Sequence, residues 1–149
     1  MLAQMQAVRA AAAQRLGLEA EATLAIPKLY LISAPTDYAD LVGQRVCVDQ
    51  VNLLGRGLSM GVPHQAYAAT AAVCTGAAAL LSDTLVQEVL RPDPVQPRCI
   101  RIGHPSGVLS VDAAIEWISG QPRLVRAALE STARRIMDGT VYVPLSRCS

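Results

Sequence analysis

Apolar residues near the start of the chain recur at helical spacing: Leu2, Met5, Val8, Ala12 and Leu16. This predicts an amphipathic helix over Met1 to Leu16. Gly17 ends it, because glycine readily takes the left-handed conformation that closes a helix. A loose segment runs to Pro27. The period then drops to two, and Lys28 to Ala34 reads as a strand stopped by Pro35. Pro35 to Gly43 is a turn-rich loop. Val51, Leu54 and Leu58 return to helical spacing and predict a short helix over Cys47 to Leu58. Asp49 falls in its first turn, where a negative charge suits the helix dipole.

Glycine and proline break the pattern from Gly57 to His64. A second helix is expected to begin between His64 and Thr70 and to run to about Leu81. It is apolar almost all round, which predicts a position in the middle of the molecule. The Pro-rich stretch from Arg91 to Pro97 reads as a surface loop. Arg98 to Ile102 and Val108 to Asp112 flank GHPSG and predict a β-hairpin. Pro105 suits the first corner of its turn, and Gly107 can supply a positive φ. Arg123 to Leu129 is a further strand. Thr132 to Met137 is expected to form a helical turn, Asp138-Gly139 a reversal, and Thr140 to Pro144 a last strand. The fold class is α/β (α+β): a curved mixed sheet wrapped around a central apolar helix. A chain of 149 residues suits a single domain over 1–149, with 145–149 as a tail.

Composition narrows the function classes. Half of the chain is apolar but Phe is absent, so its apolar mass is mainly Ala, Val and Leu. Small side chains of this kind let backbones approach closely. The formal charge of +1 argues against nucleic acid as a partner, and stacking aromatics are scarce. Met1 to Arg15 lacks the layout of a signal peptide. Ala66 to Leu81 is too short and too Ala-rich for a membrane span. A soluble, cytoplasmic protein is expected. The four cysteines, Cys47, Cys74, Cys99 and Cys148, show no CxxC spacing. With only His64 and His104 beside them, no metal site is expected. Buried, inert thiols are the simpler reading, Cys74 within the central helix included.

Three segments could carry chemistry. The first runs from Ser59, Met60 and Gly61 through His64 to Ala69 and Thr70, into the start of the central helix. Helix starts offer unpaired N–H groups and a positive dipole end, which can hold a carboxylate. An ordinary helix start has the same features, and the segment alone favours that reading. The second is the hairpin tip of His104, Pro105, Ser106 and Gly107, which either aims donors into a cleft or forms a plain exposed turn. His104 alone is no evidence of a general base. The third, Ser131 to Gly139, holds Arg134 and Arg135. These could bind anions, although a solvated edge paired with Glu130 or Asp138 is the simpler account. The chain carries no Ser-His-Asp order, HExxH, P-loop or GxGxxG motif.

Taken together, the segments resemble the PrpF family, which includes 2-methylaconitate cis-trans isomerases, methylitaconate isomerases and 4-oxalomesaconate tautomerases. The resemblance rests on GRGLSMG, HQAYAATAAVCTGAA, EVLRP, RIGHPSG and STARRIMDGTVYVP in that order, and it reaches from the first helix to Pro144. It implies the diaminopimelate-epimerase-like fold, in which two lobes each wrap a curved sheet around a helix. The implied reaction moves a proton and a double bond in a small unsaturated di- or tricarboxylate, with no metal or organic cofactor. By this resemblance the chain is the carboxy-terminal lobe. Its site residues would be Ser59, Met60, Gly61, His64, Ala69 and Thr70. The related epimerases have a catalytic cysteine at about Ala68, which is alanine here. The family's catalytic lysine and cysteine are expected on an amino-terminal lobe, and Lys28 matches no catalytic motif. A partner lobe, or a second copy related by a twofold axis, would then complete the molecule. A carboxylate binder without turnover, or a remnant protein lacking the catalytic lobe, is the alternative.

Overall fold

The computed structural model describes residues 2–18, 26–131 and 133–144. Its elements in chain order are α1 (Leu2–Arg15), β1 (Tyr30–Ser33), β2 (Tyr38–Ala39), β3 (Arg45–Val46), β4 (Leu53–Ser59), β5 (Val62–Pro63), α2 (Ala69–Ala79), α3 (Leu85–Val89), β6 (Cys99–His104), β7 (Gly107–Ile118) and β8 (Gln121–Leu129). One mixed sheet has the order β1-β4-β6-β7-β8, with β5 paired to β4; β2 and β3 form a separate small ribbon. The sheet is antiparallel except where β4 and β6 run parallel, with Leu53 opposite Ile102. A parallel neighbour requires a crossover, and here the crossover contains α2 and α3.

Helix α2 packs against β6, β7 and β8. Leu53, Tyr67, Ala72, Ala79, Ile100, Ile102 and Val111 form the core, with Tyr30 and Ile32 packed against it. The helix brings almost no bulk of its own to that contact. A Cβ on Gly76 would lie 3.1 Å from both Val111 methyls and 3.3 Å from the Ala113 Cβ. The sheet therefore supplies the large side chains and the helix the close approach. Asn52 locks the parallel pair. It is buried, and its Oδ1 accepts from the Arg101 N–H at 2.8 Å. Its Nδ2 donates to the Arg91 carbonyl, also at 2.8 Å. A buried amide satisfied in this way fixes register at little desolvation cost.

The strand from Lys28, the hairpin and the strand after Gly120 appear where the sequence places them. The hairpin is longer than expected, since β7 runs on to Ile118 and β8 starts at Gln121. Ser119 and Gly120, with φ of 51° and 77°, make the tight turn between them. The helix predicted over Cys47 to Leu58 is not formed. Val48–Gln50 is one 3-10 turn, and β4 follows. The spacing of Val51, Leu54 and Leu58 was misleading because Gly55 and Gly57 obey the period of two. A Cβ on Gly55 would strike the Tyr67 ring at 2.3 Å, and one on Gly57 would strike the Tyr30 ring at 2.4 Å. Two interior glycines also penalise a helix by about 1 kcal/mol each.

Helix α2 is not covered all round. Ala72, Thr75, Gly76 and Ala79 are buried, whereas Ala69, Thr70 and Cys74 are exposed. Cys74 is thus no buried thiol, while Cys47 and Cys99 are half-buried; Cys148 lies outside the described residues. No helical turn forms over residues 133–137 and no strand over 140–144. Ile136, Met137, Val141 and Tyr142 are exposed there, and apolar side chains without a neighbouring strand have nothing to pair with. Thr132 and the tail 145–149 lie outside the described residues. Arg135 does pair with Asp138, at 3.4 Å.

Gly55→Ala is expected to destabilise the fold by about 1–3 kcal/mol through overpacking. The Tyr67 ring cannot retreat, because it is buried and its hydroxyl lies 2.8 Å from Thr75 Oγ1. Urea denaturation would measure the loss. Gly139→Ala, with nothing within 4 Å of the added carbon, should leave the midpoint unchanged.

Candidate functional site

The predicted helix start is a true N-terminus without a side-chain cap. Ala68 is the N-cap and makes no side-chain hydrogen bond, so no N-cap side chain occupies the amides of the first turn; the Ala68 N–H itself meets the Tyr30 hydroxyl. The chain reaches it through an ordered bend. The His64 N–H donates to the Gly57 carbonyl at 2.8 Å, and His64 Nδ1 accepts from the Ala66 N–H at 3.0 Å. With Nδ1 occupied in this way, Nε2 is the nitrogen left for another partner.

The hairpin tip is held from several sides. Pro105 and Ser106 form the turn between His104 and Gly107. Gly107 has φ 123°, the freedom foreseen for it. The Tyr38 hydroxyl donates to the Gly107 carbonyl at 2.5 Å and lies 3.0 Å from that of His104. The Leu41 N–H donates to the Pro105 carbonyl at 2.8 Å. Most informative is Ser106, whose hydroxyl donates to the Gln65 carbonyl at 2.5 Å. That bond joins the hairpin tip to the segment entering α2. Two stretches forty residues apart in the chain are thereby brought to one edge of the sheet.

His104 is buried, and its Nδ1 accepts from the Ser106 N–H at 3.2 Å. Burial, reinforced by the Arg56 cation, pushes its pKa below the ordinary histidine value. It is therefore neutral at pH 7 and serves as an acceptor within the turn. Ser59, Met60 and Gly61 are placed differently from the expectation of a loop running into the helix. Ser59 ends β4 opposite Val62. Met60 and Gly61 take φ of 53° and 82° and form a tight β4–β5 turn. A Cβ on Gly61 would lie 3.5 Å from Gln6 Nε2 of α1. This turn therefore lies against the first helix, while Gln65 of the following segment meets the hairpin tip. Ala69 and Thr70 open α2 and are exposed.

Sequence reasoning missed Arg56, Tyr38 and Gln65. Arg56 stacks over the Tyr38 ring at 5.1 Å and donates to the Gly103 carbonyl at 3.0 Å. Once β4 is read as a strand, the signal is visible: in GRG the glycines admit aromatic rings on one face and the arginine occupies the other. Lys28 was also passed over. It lines a cavity of about 540 Å³ with Thr70 and Cys74. Among the described residues no group of three potential metal ligands occurs, and no helix is long and apolar enough to cross a membrane.

Comparison with solved proteins finds the same mixed α/β fold. The crystal structure of a methylitaconate-delta-isomerase superposes with a TM-score of 0.79 at 38% identity, covering 95% of this chain and 37% of that one. The family model described as PrpF protein matches residues 1–144, and the chain belongs to that family. The 3-methylitaconate isomerase of Eubacterium barkeri is 38% identical over 150 residues, 96% of this chain and 38% of that protein. The 2-methyl-aconitate isomerase of Shewanella oneidensis is 38% identical over 148 residues, 96% and 37% respectively. The (4E)-oxalomesaconate Delta-isomerase of Novosphingobium is 28% identical over 144 residues, 95% and 35%. The chain thus spans a little over a third of the length of these relatives.

The lowered pKa of His104 gives a signed prediction. An unfolded histidine takes up its proton near pH 6.5, whereas folded His104 resists it until lower pH. The unfolded state then binds more protons, so stability declines as pH falls below about 6.5 and levels off below the folded pKa. Melting temperatures between about pH 7.5 and pH 5 would show the decline. His104→Asn, whose Oδ1 can still accept from the Ser106 N–H, should flatten it; an unchanged slope would assign it to another group.

Proposed function

We propose that this chain is the substrate-holding lobe of an isomerase acting on small unsaturated di- or tricarboxylates. The carrying observation is the Ser106–Gln65 hydrogen bond, which ties a hairpin tip to an uncapped helix start. Free amides at that start receive one carboxylate. His64 through Nε2, Thr70 and the turn at Pro105 and Ser106 line the approach. The β4–β5 turn of Ser59, Met60 and Gly61 lies toward α1 and has no part in this grip. Family membership and relatives that isomerise methylitaconate, methylaconitate and oxalomesaconate support the substrate class.

On this reading the lobe is one domain and does not supply the proton-transfer pair. Lys28 and Cys74 line a pocket that runs from the first turn of α2 along its flank, and Lys28 matches no catalytic motif. A second lobe would provide the base, and the reaction needs no metal or organic cofactor. The exposed side of α2 and the exposed apolar residues near 136–143 favour such a partner, either another lobe or a second copy. A soluble, cytoplasmic setting suits the small acidic substrates.

An ultraviolet assay of double-bond movement in aconitate-like acids should show no turnover by the purified chain. Clear turnover would overturn the requirement for a second lobe. Titration calorimetry should nevertheless detect binding of aconitate at millimolar concentration, weakened several-fold by Ser106→Ala. Binding without turnover, even when a partner lobe is supplied, would instead favour a carboxylate binder with no catalytic role.

A further inference from the structure

Beside the helix start, on the flank of α2, lies the cavity of about 540 Å³. This is within the range of small-molecule sites, about 300–1,000 Å³. Its walls come from three elements. Ile32 of β1, Ala71 of α2 and Leu85 and Val86 of α3 make it apolar, and Lys28, Tyr30, Thr70 and Cys74 supply its polar groups. Thr75 also lines it, but its hydroxyl is already engaged with Tyr67. Among the described residues no carboxylate lines the cavity. Lys28, the chain's single lysine, forms no ion pair among the described residues. A lysine can lay its stem along an apolar wall and keep its charge at the rim. The combination of apolar walls and one cation without an ion pair among the described residues is complementary to an anion with an apolar body.

We infer that this flank pocket binds a monocarboxylic acid with an apolar tail, its carboxylate on Lys28 and its tail against Ile32, Ala71, Leu85 and Val86. The site adjoins the helix start proposed for the substrate and shares Thr70 with it, but it holds its ligand through Lys28. A small tricarboxylate has no apolar body to fill the pocket, and its extra charges would meet apolar walls at a desolvation cost. A bound acid would therefore report on, or compete with, whatever covers the exposed side of α2.

Cys74 provides the test. It is exposed and lines the pocket, so a bound tail shields it. Iodoacetamide labelling of the full chain would be followed by peptide mass spectrometry, with Cys47 and Cys99 as internal references. Octanoate should slow labelling at Cys74 several-fold and leave the other two unchanged. Octanol should protect far less. Lys28→Met should reduce the octanoate effect to the octanol level, and Lys28→Arg should keep it. Absence of protection by octanoate, or equal protection by octanol, would overturn the inference. Equal protection by aconitate would also overturn it and assign the pocket to the substrate site. Failure of aconitate to bind at the helix start would leave octanoate protection unaffected, so the two proposals fail separately.

Discussion

The close approach of α2 to the sheet is the constraint on which the rest of this structure depends. A helix of alanines with Gly76 at its point of contact has no side chains to hold the sheet away. Val111 and Ala113 therefore sit nearly against the helix backbone. The sheet curls to meet the helix and provides the bulk through Leu53, Ile100, Ile102 and Val111. Dense packing of this kind tolerates little change in volume. It fixes the height and direction of the helix, and with them the place where its first amides emerge.

That placement matters because the hairpin tip arrives at the same edge by a different route. β6 and β7 are bound to β4 through the parallel step and Asn52, so the tip of Pro105 and Ser106 is a rigid extension of the sheet. Tyr38 and Leu41 secure it from one side and the Ser106–Gln65 bond from the other. Backbone donors held this firmly need no reorganisation to meet an anion, which is the physical advantage of a helix terminus over flexible basic side chains. The same geometry leaves one side of α2 open. There β1 and α3 stand back far enough to form the flank pocket, with Lys28 at its wall.

Much of this was legible in residue order, because short-range patterns carried it. Pro105 and Gly107 can occupy only certain corners of a turn, and alternation marks the strands from Lys28, Arg98 and Arg123. The helix from the His64–Thr70 region to about Leu81 followed from a long apolar run. Errors arose where one pattern served two periods. Val51, Leu54 and Leu58 mimic a helix, and only the rings of Tyr30 and Tyr67 across the sheet explain why Gly55 and Gly57 require a strand. Ser59, Met60 and Gly61 looked continuous with the helix start. The pairing of Val62 with Ser59 turned them toward α1 instead.

The sequence by itself determined the strands from Lys28, Arg98 and Arg123, the small-residue character of α2, the hairpin tip and the family to which the chain belongs. These depend on backbone preference and on residue types at fixed spacing. Tertiary structure alone decided which segments meet, Ser106 with Gln65 and Arg56 with Tyr38, and that Lys28 and Cys74 line one cavity. It also decided that α2 is covered on one side only, which reversed the expectation for Cys74. Such facts depend on how far apart packed elements come to rest. That distance is set by side chains contributed from both sides of each contact, so no single stretch of sequence contains it.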